Sequence, residues 1–242
     1  MISKSYFFLS ILFFAFVCFH PEILAQETAQ DYSTLGLSHL YAGEYKEAAT
    51  LFTKSIKKNK KDELQWYNRG LCEYYLKEYE AAIKDCDKAI SIRHDYTNAY
   101  INRGISKIEL GNNFDAIVDF CTALTYDPNS GLAYYDRGVA KYNLRQYSSA
   151  QEDFQSAISL RSADYKSMLY MGLILYHERK YQDAIVIYDQ VLSIKSDYGI
   201  AYYDRGLAEK EAQDMERACN DFRDALKYGY SSASVMIEGN CR

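Results

Sequence analysis

The sequence predicts an all-α protein, a solenoid of six helix-turn-helix repeats followed by a C-terminal capping helix. Two observations indicate this fold class: a glycine that returns every 34 residues and an apolar helix face at fixed distances after it. The recurring glycines are Gly36, Gly70, Gly104, Gly138, Gly172 and Gly206. Because glycine inside a helix costs roughly 1 kcal/mol relative to alanine, its regular return indicates a position where two helices pack closely.

The first helix of each unit contains the glycine, and a bulky residue precedes that glycine by four positions. These bulky residues are Tyr32, Trp66, Tyr100, Tyr134, Met168 and Tyr202. In the second helix an alanine follows the glycine by 12 residues and a large side chain follows it by 16, except in the second unit, which has Cys86. In the fourth unit Ala150, Phe154 and Ile158 share one helix face. Each unit is therefore predicted to be a helical hairpin.

This arrangement resembles the tetratricopeptide repeat family, which has the same 34-residue period and the same Trp or Tyr, Gly, Ala, Phe and Ala positions. Two local departures are Asn113, where four other units have tyrosine, and Pro128, the one proline that ends a unit. The resemblance implies a right-handed superhelix whose first helices line a concave groove. The predicted units are residues 29–62, 63–96, 97–130, 131–164, 165–198 and 199–232, followed by a predicted cap over residues 233–242.

Residues 1–25 have the composition of a signal peptide. Lys4 precedes the apolar run 6–19, and Ala25 offers a small residue for cleavage before the short linker 26–28. The run has 14 residues, fewer than the ~20 that a membrane-spanning helix needs. We therefore expect a periplasmic or secreted protein of a bacterium, with no stable membrane insertion after cleavage. An uncleaved N-terminal anchor is the alternative.

Composition and motif content argue against catalysis and against nucleic-acid binding. The formal net charge is −5 at pH 7, which provides no positive field for a polyanion. Six units of 34 residues leave no room for a catalytic domain beside the leader. The sequence lacks the HExxH and CxxC metal motifs and has no nucleophile paired with a base. We therefore expect no enzymatic activity, no metal and no cofactor.

Cysteine usage predicts one disulfide, because export would place the chain in an oxidising compartment. Cys219 lies on the second helix of the last unit, and Cys241 comes opposite it if the chain reverses near Tyr230. A bridge between these two residues is predicted to hold the cap on the last unit, with two free thiols as the alternative. The remaining thiols of the repeats, predicted to be buried small apolar residues, are Cys72, Cys86 and Cys121.

An arginine directly precedes the glycine in four units, and the same four units have an aspartate 16 residues after that arginine. The first and fifth units replace both partners with apolar residues, as in Met171 with Ile187. Positions that change together indicate contact, and a hairpin brings these two positions opposite each other. The predicted ion pairs are Arg69 with Asp85, Arg103 with Asp119, Arg137 with Asp153 and Arg205 with Asp221.

The family resemblance also implies which side chains face the groove. The predicted partner-binding residues are Tyr67, Asn68, Asn102, Tyr135, Asp136, Tyr203 and Asp204. Amide side chains can pair with a peptide backbone, and tyrosine offers a large contact area with few rotatable bonds. We therefore expect an interaction scaffold that binds a peptide segment or partner protein in the groove. A carbohydrate or cell-wall binding module that uses the tyrosines is the alternative.

Overall fold

The fold is a row of antiparallel helices. The computed structural model describes residues 28–161 and 164–241, which contain thirteen helices and no β-strand. The helices are α1 (Ala29–Tyr41), α2 (Tyr45–Lys58), α3 (Glu63–Tyr75), α4 (Tyr79–Ile92), α5 (Thr97–Glu109), α6 (Asn113–Tyr126), α7 (Gly131–Asn143), α8 (Tyr147–Leu160), α9 (Tyr165–His177), α10 (Tyr181–Ile194), α11 (Gly199–Glu211), α12 (Met215–Lys227) and α13 (Ala233–Asn240). The expected signal peptide, residues 1–25, lies outside the described residues, as do linker residues 26 and 27.

Helices α1 to α12 form six hairpins that pack one on the next, so the all-α repeat fold expected from the sequence is confirmed. The first helix of each hairpin begins at position 29, 63, 97, 131, 165 or 199. Consecutive helices contact each other, and the first helices of neighbouring units also touch. One unit of 34 residues cannot offset roughly 1–2 kcal/mol per residue of backbone ordering, so stability comes from contact between units.

The recurring glycine makes room for the aromatic ring that follows it by 16 residues. A Cβ atom on Gly138 would lie 2.7 Å from Cε1 of Phe154, a separation that non-bonded carbons do not reach. In the second unit Cys86 replaces the ring, and a Cβ atom on Gly70 would meet its nearest neighbours at 3.2 Å. Close contact between the two helices of a hairpin is therefore the reason for the glycine period.

A residue with a left-handed backbone ends the first helix of every unit. In the first unit this residue is Gly43, with φ of 79°. Its N–H donates to the carbonyl of Leu40 at 3.1 Å, and the N–H of Glu44 donates to the carbonyl of His39 at 2.9 Å, which satisfies two carbonyls at the helix end. Gly111 has the same conformation in the third unit. The other four units place a non-glycine residue there: Lys77, Arg145, Arg179 and Gln213.

The C-terminal helix α13 covers the end of the stack. Gly229, with φ of 86°, reverses the chain between α12 and α13. Met236 packs against the cluster that contains Phe222. A disulfide joins Cys219 to Cys241 and links the cap to the last unit. Among the helices described above, none has both the length and the apolar composition that crossing a bilayer requires.

The three free thiols divide between core and surface. Cys72 and Cys86 are fully buried, whereas Cys121 is exposed, so the expectation that Cys121 is a core residue is wrong. Phe120 fills the core side of α6, and the next residue along a helix points about 100° away from it. Cys121 therefore lies on the outer side of α6, where Nη1 of Arg137 from the next unit contacts its sulfur at 3.3 Å.

Candidate functional site

The predicted arginine–aspartate pairs lie between the two helices of a unit. In the fourth unit Nε and Nη2 of Arg137 donate to the two carboxylate oxygens of Asp153 at 2.9 and 2.7 Å. The guanidinium also lies over the ring of Tyr134, 5.4 Å from its centre. The same two-pronged contact, at 2.6 to 3.0 Å, joins Arg69 to Asp85, Arg103 to Asp119 and Arg205 to Asp221. These carboxylates are buried and paired with arginine, so they are not free for a partner.

The three groove tyrosines are half-buried and pack against other rings. The partners, with distances between ring centres, are Tyr96 at 5.2 Å for Tyr67, Tyr170 at 5.9 Å for Tyr135, and Tyr230 at 4.8 Å for Tyr203. Each tyrosine therefore forms part of the groove wall, with part of its ring left for a ligand.

We call four residues of the first helices the groove floor: Asn68, Asn102, Asp136 and Asp204. Each comes directly after the helix position that holds Tyr67, Tyr135 or Tyr203, which is Ile101 in the third unit. Asn68 is half-buried, whereas Asn102, Asp136 and Asp204 are buried, with 5%, 8% and 8% of their surface exposed. Within the described part of the chain, Nδ2 of Asn102 and Oδ2 of both aspartates have no hydrogen-bond partner. Buried polar atoms are nearly always paired, so these atoms mark places where a ligand could supply the missing partner.

Burial raises the pKa of both floor aspartates to about 7. For Asp204 burial is the one cause, because no neighbouring charge opposes it. For Asp136 the positive charges of Arg161 and Lys166 partly oppose burial, and Asp164 adds to it. Both carboxyls therefore gain and lose a proton near neutral pH, unlike ordinary aspartates.

Tyrosines two units earlier in the chain lie within electrostatic reach of the floor aspartates. Burial and then several negative charges, Asp136 among them, raise the pKa of Tyr74 on α3. Tyr142 on α7 has the same relation to Asp204, and burial is again the largest cause of its shift. The charge of each floor aspartate therefore acts on a tyrosine of the first helix two units earlier.

A pocket of 190 Å³ opens between the second and third units. Its lining residues are Tyr67, Leu71, Tyr74, Tyr75, Asn98, Ile101, Asn102, Ile105 and Leu132. Two small side chains distinguish this place from its equivalents: Asn102, which lines the pocket, stands where the fifth unit has Tyr170, and Cys86, buried behind the lining, stands where the other units have a ring. At the equivalent place between the fourth and fifth units, Phe154 and Tyr170 stack with their centres 5.1 Å apart and fill that space.

The sequence reasoning placed Tyr67 and Asn102 in the groove but missed the pocket and several residues around it. The missed lining residues are Leu71, Asn98, Ile105 and Leu132. The available signal was the break in the aromatic position at Cys86, because a missing ring leaves volume that neighbouring side chains must fill or leave open.

Aromatic side chains occupy the groove farther along, between the fourth and fifth units. The hydroxyl of Tyr142 lies 3.0 Å from Nε2 of His177, and the ring of Tyr147 stacks on His177 with centres 5.6 Å apart. Tyr142 also meets Tyr170 edge to face at 5.2 Å. The first part of the groove therefore offers an open pocket, and the later part offers ring edges and faces.

The described residues around the groove can make noncovalent contacts with a ligand. No three His, Cys, Asp or Glu side chains in this part of the chain are grouped so that they could hold a metal ion. Burial raises the pKa of Cys72 to about 12 and raises that of Cys86 as well, so both thiols stay protonated. Hydrogen bonds, ring contacts and the two floor carboxylates are what the groove can offer a ligand.

Comparison with protein-family models finds one kind of match. Two models of the tetratricopeptide repeat match the chain, over residues 64–96 and over residues 135–199. No curated protein sequence matches it.

Solved structures with the same fold share little sequence with this chain. PilW, described as a widely conserved type IV pilus biogenesis factor, is 17% identical, and the match covers 86% of this chain and 97% of PilW with a TM-score of 0.79. A tetratricopeptide repeat protein from Parabacteroides merdae is 21% identical over 90% of this chain and 86% of that one, with a TM-score of 0.72. YrrB, described as having an unusual peptide-binding site, is 22% identical over 77% of this chain and 97% of YrrB, with a TM-score of 0.59. At these identities the likeness shows the fold alone.

Proposed function

Since the chain belongs to the tetratricopeptide repeat family, whose members are generally non-enzymatic interaction scaffolds, we propose that it holds an extended segment of a partner protein along the inner side of its first helices. The observation that carries the proposal is the pocket between the second and third units, where Tyr67, Tyr74 and Ile101 surround open space beside the amide of Asn102. An extended peptide supplies both apolar side chains for such a pocket and backbone groups for amide and carboxylate side chains.

The burial of the groove tyrosines favours a peptide over a glycan. A sugar ring stacks on an exposed aromatic face, whereas Tyr67, Tyr135 and Tyr203 are half-buried and pack against other rings. Tyr75 in the pocket is exposed, but its ring already stacks on Tyr45, with ring centres 4.5 Å apart. The description of YrrB as a protein with a peptide-binding site adds support from a structure with the same fold.

Site-specific photocrosslinking in cells tests this proposal. Leu132 is exposed and lines the pocket, whereas Val118 is exposed on α6, outside the pocket, and both are aliphatic. With benzoylphenylalanine at either position, we expect position 132 to capture a protein that position 118 does not. Capture should fall at least fivefold when Tyr75, which is exposed and lines the pocket, is changed to Ala.

Two results would contradict groove binding of a peptide. Equal capture from positions 132 and 118 would show that the groove is no better a contact surface than α6. Binding of the purified protein to a glycan array, together with no binding to a peptide array, would favour the carbohydrate alternative instead.

We also propose that the protein works after export, in the periplasm or outside the cell. The signal-peptide composition of residues 1–25 and the disulfide between Cys219 and Cys241 support this location, because disulfides persist in oxidising compartments. Fractionation followed by N-terminal mass spectrometry tests it, with a mature chain beginning at Gln26 as the expected result. A cytoplasmic chain with an intact leader would contradict export, and an intact leader in the membrane fraction would favour the retained anchor.

A further inference from the structure

The groove floor contains two buried carboxyl groups to which the described residues supply no charged partner. Asp136 and Asp204 hold the floor position in the fourth and sixth units, and the second and third units have Asn68 and Asn102 there. Asparagine has nearly the same shape as aspartate, and it would avoid the free energy needed to bury a carboxylate. What aspartate adds at these two positions is therefore a carboxyl group that can take up a negative charge, and a bound cation would favour the charged form.

No cation of the described residues makes an ion pair with Asp136 or Asp204. Neither Oδ2 atom of Asp136 and Asp204 has a hydrogen-bond partner, although both residues are more than nine-tenths buried. Arg161, one of the two cations that act on Asp136, lies 3.8 Å from the carboxylate of Asp164. The other, Lys166, also acts on Asp136 without making an ion pair with it. No cation acts on Asp204.

We propose that the segment bound in the groove is basic, and that two of its lysine or arginine side chains pair with Asp136 and Asp204. This inference rests on the proposed function and names the chemistry of the partner. A bound cation would give each floor carboxylate what Arg137 gives Asp153, a charged donor within hydrogen-bond distance.

The geometry of the stack sets the spacing of the two cations. Asp136 and Asp204 are two units apart, and the first helices of neighbouring units touch. Packed helices lie about 8–10 Å apart, so the two carboxylates are separated by about 16–20 Å. An extended chain advances about 3.3 Å per residue, so the two basic residues should be about five or six positions apart in the partner.

Selection from a random peptide library tests the proposal. The full protein is immobilised and used to select from a displayed library of random 12-residue peptides. We expect the recovered peptides to be enriched in lysine and arginine, with pairs five or six residues apart. The best arginine peptide should bind at least tenfold more weakly when its arginines are replaced by citrulline, which keeps the shape and removes the charge.

Two matched double variants test whether Asp136 and Asp204 are responsible for binding the arginine peptide. The double variant Asp136→Asn with Asp204→Asn installs the residue that two other units already have, so we expect it to fold, and it should bind the arginine peptide at least tenfold more weakly. The control, Asp115→Asn with Asp183→Asn, makes the same charge change at exposed positions two units apart. It should bind within twofold of the unchanged protein.

The outcomes separate this inference from the proposed function. Peptides without enrichment in basic residues, or a floor variant that binds the arginine peptide as well as its control does, would overturn the basic segment and leave peptide binding standing. A library that yields no binding peptide would overturn both proposals. A weakened floor variant combined with an unchanged citrulline peptide would also reject the ion pairs, because the aspartates would then act without a charged partner.

Discussion

Asp153 and Asp204 show that one fold uses the same residue type in two ways. Both are buried, with 3% and 8% of their surface exposed. Asp153 accepts two hydrogen bonds from Arg137, at 2.9 and 2.7 Å, and Nζ of Lys141 lies 2.7 Å from its carboxylate. Oδ2 of Asp204, in the groove floor, has no partner. Burial alone therefore does not separate a structural carboxylate from one that is left for a ligand, whereas the partners do.

The difference between Asp153 and Asp204 shows where the protein tolerates the desolvation cost of a buried carboxylate. A buried charge with a good partner roughly recovers its desolvation, and one without a partner does not. The repeat provides the pairing at one position of four units and omits it at the floor position of two of those same units, the fourth and the sixth. Because the units share one backbone pattern, equivalent positions in different units serve as internal controls for each other.

Removing Asp153, the paired aspartate, should change the free energy of unfolding more than any other substitution considered. Asp153→Leu leaves Arg137 and Lys141 buried without their anion, and we expect the free energy of unfolding to fall by about 3–5 kcal/mol. Urea unfolding followed by circular dichroism measures it. The double change Arg137→Met with Asp153→Leu should cost less than Asp153→Leu alone, because the fifth unit has Met171 and Ile187 at these two positions.

The double variant also decides whether the two residues act as a pair. A cost equal to the sum of the two single changes would mean that Arg137 and Asp153 contribute independently, against the direct contact seen between them. A cost well below that sum would show that register depends on matching the two positions, whether by charge or by apolar contact.

The sequence was more informative about the paired aspartates than about the floor. Arg137 could be assigned to Asp153 because the two units that lack the arginine also lack the aspartate. Asp204 has no such partner in the sequence. Its surroundings come from tyrosines of other units, such as Tyr142 and Tyr188, and the repeat period does not specify how their side chains are oriented.

For the fold as a whole, the sequence likewise predicted what repeats in every unit and missed what differs between units. The glycine period predicted the hairpins and the first residue of each unit, because backbone packing repeats with the sequence. The pocket could not be predicted in this way, because its lining comes from side chains of three successive units, such as Tyr67, Asn102 and Leu132, whose sizes vary from unit to unit. The exposure of Cys121 was missed because the repeat pattern marks the core face of a helix more clearly than its neighbours.

Removing the charge of Asp204, the unpaired aspartate, should have a smaller effect on stability, and it should stabilise the protein. We expect Asp204→Asn to raise the free energy of unfolding at pH 8 by about 1–3 kcal/mol, because a neutral amide is less costly to bury than an unpaired carboxylate. Urea unfolding of the two proteins measures the difference. A variant less stable than the unchanged protein would mean that the Asp204 carboxylate makes a favourable contact in the free protein.

The stabilisation produced by Asp204→Asn should disappear at acidic pH. Burial raises the pKa of Asp204 from its ordinary 3.8 to about 7, so the folded protein holds this proton more tightly than the unfolded chain does. The contribution of Asp204 to stability is therefore most favourable below about pH 4 and is lost as the pH rises through 7. The difference between the two proteins should grow over this range, and a constant difference would exclude ionisation of Asp204 as its cause.

The smallest change in the free energy of unfolding should come from placing a second cation beside the paired aspartate of the second unit, Asp85. Glu73 and Lys141 hold the same position in the second and fourth units, beside the paired aspartate. Burial, and then the charge of Asp85, raise the pKa of Glu73 to about 7, and its Oε2 has no partner. Glu73→Lys should raise the free energy of unfolding at pH 8 by about 1 kcal/mol, because a lysine can contact Asp85 as Lys141 contacts Asp153.

Glu209 provides the control for this last change, because it holds the same position in the sixth unit and its Oε2 likewise has no partner, but its ion pair is shorter than that of Glu73, whose Oε1 lies 3.7 Å from Nε of Arg69. Oε1 of Glu209 lies 3.0 Å from Nη2 of Arg217, an ion pair that lysine would replace with repulsion. Glu209→Lys should therefore lower the free energy of unfolding in the same urea experiment. Equal shifts in Glu73→Lys and Glu209→Lys would show that net charge governs stability at this position. Opposite shifts would show that the local partner decides it, as it does for Asp153 and Asp204.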